Sequence, residues 1–183
     1  MESRELKELI NKTLHSLDLD AKDIPDIDLY MDQIINLFDT KLSANKRTED
    51  DKLLTKTMIN NYSKEGLMLP AKGKKYTKEH IFQILIILSM KNILSLNDIQ
   101  RVMQSIMANE GYRENSLNQV YDEFLALKAH ARGSVQGVIN SVIDVYDLNA
   151  NNKEDLLLLL LCFTSMADEM KRLAEKMIDT YFE

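Results

Sequence analysis

The chain has 183 residues and a formal charge of −6, and 45% of its residues are apolar. That apolar share excludes wholesale disorder, and the length suits one domain or a small domain with an extension. Five Gly and two Pro are few for a turn-rich sheet protein, so the expected fold class is all-α, mainly helical.

In residues 2–17, Leu6, Ile10, Leu14 and Leu17 recur at helical spacing and predict a first amphipathic helix. Residues 18–28 read as a loop, whose aspartates lack the Gly and the closing Glu of a calcium site. Pro25 and Asp26 open a second predicted helix over 27–42, with Leu29, Ile34, Leu37, Phe38 and Leu42 facing inward. The polar linker SANKRTEDDK follows. A third helix over 54–64 turns Met58, Ile59 and Tyr62 inward and stops at Gly66. The segment LMLPAKGKKY cannot be helical across Pro70 and Gly73, and arms at 67–69 and 74–76 predict a small β-hairpin wing. Thr77 caps a fourth helix containing IFQILIILSM, apolar on most faces and therefore central. Ser95 or Asn97 caps a fifth. Residues 117–131 and 135–146 are helical, with Gly133 and Gly137 able to kink or break the pair. After the turn DLNANN, a last helix over 153–182 carries Leu156, Leu160, Phe163, Met166, Met170, Leu173 and Met177 at steps of three and four, a core stripe.

Charge is spread unevenly. Residues 1–51 are net −6, residues 52–80 are net +5, residues 81–101 are net +1 and residues 102–183 are net −6. A basic island in an acidic chain suggests an anionic partner docking there. The sole cysteine, Cys162, excludes an internal disulfide and is expected to be a buried core thiol. The longest apolar run, 156–163, has eight residues, whereas a membrane span needs about 20. The N-terminal MESRELKELI lacks an apolar secretion signal, so a cytoplasmic protein without a membrane partner is expected. His15, His80 and His130 lie far apart and form no metal pattern. No Gly-rich phosphate loop or nucleophile elbow occurs, so no enzyme, cofactor or metal is expected. His80, at a helix start, suits a structural or phosphate-contacting role.

The order helix, linker, helix, Gly stop, basic hairpin, apolar helix is that of a winged helix-turn-helix. Its reading helix presents Lys56, Asn60, Asn61 and Lys64, where Asn suits adenine edges and Lys suits guanine or phosphate. Lys72, Lys74, Lys75 and Lys78 suit phosphates beside the wing. Tyr76 is also a candidate, although anchoring the wing to the core suits it better.

Tyr62, Lys64, Glu65-Gly66-Leu67, Pro70, Lys74 and Tyr76, then Leu94-Ser95-Leu96 and Ile99, form a pattern over residues 54–103. That pattern resembles the DNA-binding head of the MerR family. Where that family has Arg and Tyr before the last Tyr of its second helix, this chain has Asn60 and Asn61, and its linker is longer. Residues 24–130 are similar to an uncharacterised bacterial domain-of-unknown-function family, number 1836. The resemblance implies a transcription regulator that binds double-stranded DNA. The expected division is an N-terminal helix and linker over 1–23, a winged unit over 24–108, and a C-terminal helical bundle over 109–183 for homodimerisation or effector sensing. An alternative is a protein-interaction module whose basic wing meets an acidic partner. A third reading is a bundle that binds a small molecule among its Met-rich helices.

Overall fold

The computed structural model describes residues 3–15, 17–113 and 116–182. Glu2 and Ser16, within the first predicted helix, lie outside them. The fold is mainly helical with one two-stranded antiparallel sheet. In chain order the elements are α1 (Ser3–Leu14), β1 (Leu29–Tyr30), α2 (Met31–Leu42), α3 (Lys56–Lys64), β2 (Lys75–Tyr76), α4 (Lys78–Met90), α5 (Leu96–Ala108), α6 (Ser116–Val145) and α7 (Lys153–Tyr181). The chain groups into two compact units, residues 17–124 with 174–183, and residues 1–16 with 125–173.

The first unit is built around α4. Every residue from Glu79 to Leu85 is buried, together with Ile87. A helix apolar on nearly all faces has to be covered all round. Fully buried residues elsewhere in this unit include Ile34 and Phe38 of α2, Ile59 of α3, and Ile99 of α5. Thr77 caps α4 as expected, and His80 takes the place of the usual Glu or Gln of a capping box. Its Nδ1 accepts the Thr77 N–H at 3.1 Å.

Two departures from the sequence reading occur at the front of this unit. Helix α2 begins at Met31, because Leu29 and Tyr30 pair with Tyr76 and Lys75 instead of entering a helix. Leu29 is buried and Tyr30 exposed, the alternation of a strand with one wet face. Gln33 Oε1 accepts the Tyr30 N–H at 2.8 Å and starts the helix there. The hairpin arm expected at 67–69 forms no strand: Leu67 and Met68 are buried, and the Leu69 N–H goes to Gln83 Oε1 at 3.0 Å. A core position and a side-chain acceptor outcompete strand pairing. The strand 75–76 does form, but its main partner is β1.

The second unit packs α1 against α6 and α7. Leu6, Ile10, Ile139, Ile143, Ala150 and Leu159 form its core, with Phe163 and Val142 partly buried against them. Lys7 pairs with Asp144 at 3.6 Å, and Gln136 donates to the Asn11 side chain. Helix α6 runs unbroken through Gly133 and Gly137; neither has a left-handed φ, and both are exposed, so nothing forces a break. Helix α7 has the expected span, and Leu156 and Phe163 of the expected stripe pack partly buried against this core, but other stripe positions do not. Leu160, Met170, Leu173 and Met177 are exposed, and the buried positions are Leu159 and Ile178. The run of six leucines gave no phase by which to tell one face from another. Cys162 is half-buried. Among the described residues no helix is long and apolar enough to cross a membrane.

Candidate nucleic-acid interface

The candidate residues fall on α3 and on the turn before β2. Thr55 starts α3 by accepting the Met58 N–H at 3.2 Å. Ile59 and Tyr62 are buried beneath it, which leaves Lys56, Asn60, Asn61 and Lys64 exposed on the other side. Gly66, at φ +69°, ends the helix: the Leu67 N–H reaches Tyr62 O at 2.8 Å and the Gly66 N–H reaches Ser63 O at 3.3 Å. That pair of bonds is a Schellman motif, and it requires a left-handed residue at this position. From α5, Gln100 Nε2 donates to Glu65 O at 2.6 Å and fixes the same end. Helix α3 is thus clamped at both ends while one face stays open.

The basic turn is tight. Lys72 O accepts the Lys75 N–H at 3.1 Å, and Gly73 and Lys74 both have positive φ, 59° and 63°. Two left-handed residues make a type I′ turn, the geometry that matches strand twist. The turn leaves Lys72, Lys74 and Lys75 exposed. Lys75 Nζ lies 5.7 Å from the Tyr30 ring centroid, a cation–π contact that holds the ammonium over β1. Tyr76 is buried and stands edge-on to His80, 5.6 Å between ring centroids. Its ring ties the turn to α4 and is not available on the surface.

Not every candidate amine is free. Lys56 pairs with Asp32 at 2.6 Å and Lys78 with Asp26 at 2.7 Å. The acids of the preceding segment therefore lie against two edges of the basic island. Among the described residues, the side chains of Asn60, Asn61, Lys64 and Lys74 have no hydrogen-bond or ion-pair partner. A cleft of about 430 Å³ lies between α2 and the linker. Its lining mixes Asp39, Glu49, Asp50 and Asp51 with Lys46, Lys52 and Lys56, so its charge is nearly balanced. Asp51 accepts from the Thr48 hydroxyl and from the Arg47 and Thr48 N–H groups, bonds that hold its carboxyl below the usual range, the hydroxyl first.

Sequence reading missed what lies underneath. Gln83, fully buried in α4, accepts the Leu69 N–H and donates to Tyr112 Oη at 3.1 Å. Tyr112 in turn donates to Glu79, which is itself buried. Burial, then the bond to Glu79, pushes the Tyr112 phenol well up, so it remains a proton donor. The amide of Gln83 inside IFQILIILSM was the available signal, since a buried amide needs partners. His80 has its pKa lowered, chiefly by burial, while the Pro70 backbone, the Asp28 carboxylate and the Leu69 backbone push the other way. Among the described residues no cluster of His, Cys, Asp or Glu could hold a metal ion.

The fold and this surface define a small helical protein with a basic, strand-anchored turn following a clamped short helix. The family described as a domain of unknown function, DUF1836, matches residues 19–124, and the chain belongs to it. No curated protein and no solved structure matches the chain.

Proposed function

We propose that the chain is a sequence-specific DNA-binding transcription regulator, with a MerR-like winged helix-turn-helix over residues 24–103 and a homodimer formed through its C-terminal helices. The observation that carries this reading is the open face of α3. Asn60, Asn61 and Lys64 are exposed and unengaged there, on a helix fixed at both ends, and a basic turn follows in the chain. A helix so presented fits a major groove, where carboxamides read adenine edges. Lys72, Lys74 and Lys75 then grip phosphates and set affinity without choosing sequence.

Binding to genomic fragments, measured against salt, tests it. Three to five phosphate contacts give a log–log slope of roughly −3 to −4.5. Lys74→Ala and Lys75→Ala weaken binding alike on all sequences and flatten that slope. Asn60→Ala relaxes preference at one base position, by a few-fold to about 100-fold. A flat salt dependence, or sequence preference untouched by Asn60→Ala, refutes the assignment.

A further inference from the structure

The second unit leaves apolar side chains uncovered on both α6 and α7. Residues 133–143 of α6 and 156–166 of α7 contain no charged side chain. These stretches run side by side, because Ile139 and Ile143 share a core with Leu159 and Phe163. The α1 residues Leu6 and Ile10 complete that core. Yet Leu157, Leu158, Leu160 and Leu161 remain outside it, each 55–59% exposed. A helix segment apolar on every face belongs in the interior of something larger. On α6, Leu127, Ala131, Ser134, Val138, Ser141 and Val145 follow one another at steps of four and three, and all six are exposed. That is the spacing of a coiled-coil seam.

We infer that this surface seats a second copy of the chain, whose own α6 and α7 pack against it in a two-fold bundle. Three features select a second copy over an unrelated partner. A seam of this length needs a facing helix of similar length, and α6 and α7 have 30 and 29 residues. Each half-exposed leucine offers roughly 100 Å², and the exposed side chains together offer on the order of 800 Å², one partner's share of a standard interface. The two uncharged stretches call for no counter-charge, so the surface is complementary to itself under a two-fold axis. This names the contact surface of the homodimer in the regulator reading and rests on that reading only for its use on DNA.

The test is the mass of the purified full chain without DNA, by analytical ultracentrifugation. A two-chain species is expected at ~10 μM. Leu158→Glu combined with Leu161→Glu raises the dimer dissociation constant at least ~100-fold while helix content by circular dichroism is unchanged. A wild-type monomer, or a doubly substituted protein that keeps the dimer mass, overturns the proposal. Should that variant lose helix content, Leu161→Cys in a Cys162→Ser background, treated with a short bis-maleimide, examines the same surface in a folded chain. A covalent dimer is expected, and its absence overturns the proposal. A dimer that fails to bind DNA sinks the regulator reading alone; a monomer that binds DNA sinks this one alone.

Discussion

His80 occupies a position where its charge state matters. Its Nδ1 must accept the Thr77 N–H, which only the neutral ring can do while Nε2 carries the proton. Burial lowers its pKa below the ordinary value of 6.5. The unfolded chain therefore takes up a proton at a higher pH than the folded one. Stability from this residue is fully present above pH 6.5 and is lost as pH falls toward the lowered value. Urea midpoints at pH 7.5 and pH 5.5 check this. The His80→Gln variant keeps a capping acceptor but cannot titrate, so it loses that part of the drop. An unchanged drop in His80→Gln places the titration elsewhere. Gly66 makes a second residue-scale case. At φ +69° a side chain is strained, and a Cβ there comes within 2.9 Å of Gln104 Nε2. That amide is the end of a flexible side chain and can move, so backbone conformation dominates. Gly66→Ala destabilises by about 1 kcal/mol, read from urea unfolding. A neutral substitution means the α3 terminus is not held as described.

Helix ends and polar links decide how α3 and the basic turn are held. The segment leaving α3 is tied to α4 by the Leu69–Gln83 bond, and α4 is tied to the segment before α6 by Gln83–Tyr112. Gln83 is thus shared by two connections that no local pattern announces. Gln83→Leu removes both, and Tyr112→Phe removes the Gln83 bond together with the one to buried Glu79, so each costs roughly 1–3 kcal/mol. Their double variant is less unstable than the sum by at least ~0.5 kcal/mol, because each single change already breaks the shared bond. Additive values in a denaturation cycle exclude the link. The element order was legible because Gly66, Thr77 and Ser95 are chemical start and stop signals that act locally. The central position of α4 was legible because it is apolar on most faces. The pairing of β1 with β2 was not, because a bond between residue 29 and residue 76 is a tertiary choice that no window of sequence contains. The faces of α7 were equally opaque, since six consecutive leucines carry no periodicity.

Across the whole molecule the decisive quantity is how charge is partitioned. The net +5 of residues 52–80 sits in a chain of −6, and the folded structure places Asp26 and Asp32 directly on two of the amines concerned. Both ion pairs involve exposed carboxylates and contribute little to stability. In the proposed regulator reading, those carboxylates compete with DNA phosphate for Lys56 and Lys78 and repel the backbone besides. Removing them therefore shifts binding while leaving folding nearly untouched. Asp32→Asn combined with Asp26→Asn tightens binding several-fold at low salt on every sequence, as each freed lysine makes a further phosphate contact. Each such contact steepens the log–log salt slope by about 0.9, so the pair of substitutions adds up to about 1.8. The unfolding free energy read from urea changes by less than about 0.5 kcal/mol per site. Fluorescence anisotropy with a labelled duplex at stepped salt concentrations reads both quantities at once. An unchanged slope removes Lys56 and Lys78 from the interface and confines it to the open face of α3 and the turn at Lys72–Lys75. Tightening confined to one sequence instead assigns Lys56 to base reading, because a phosphate contact cannot discriminate between sequences.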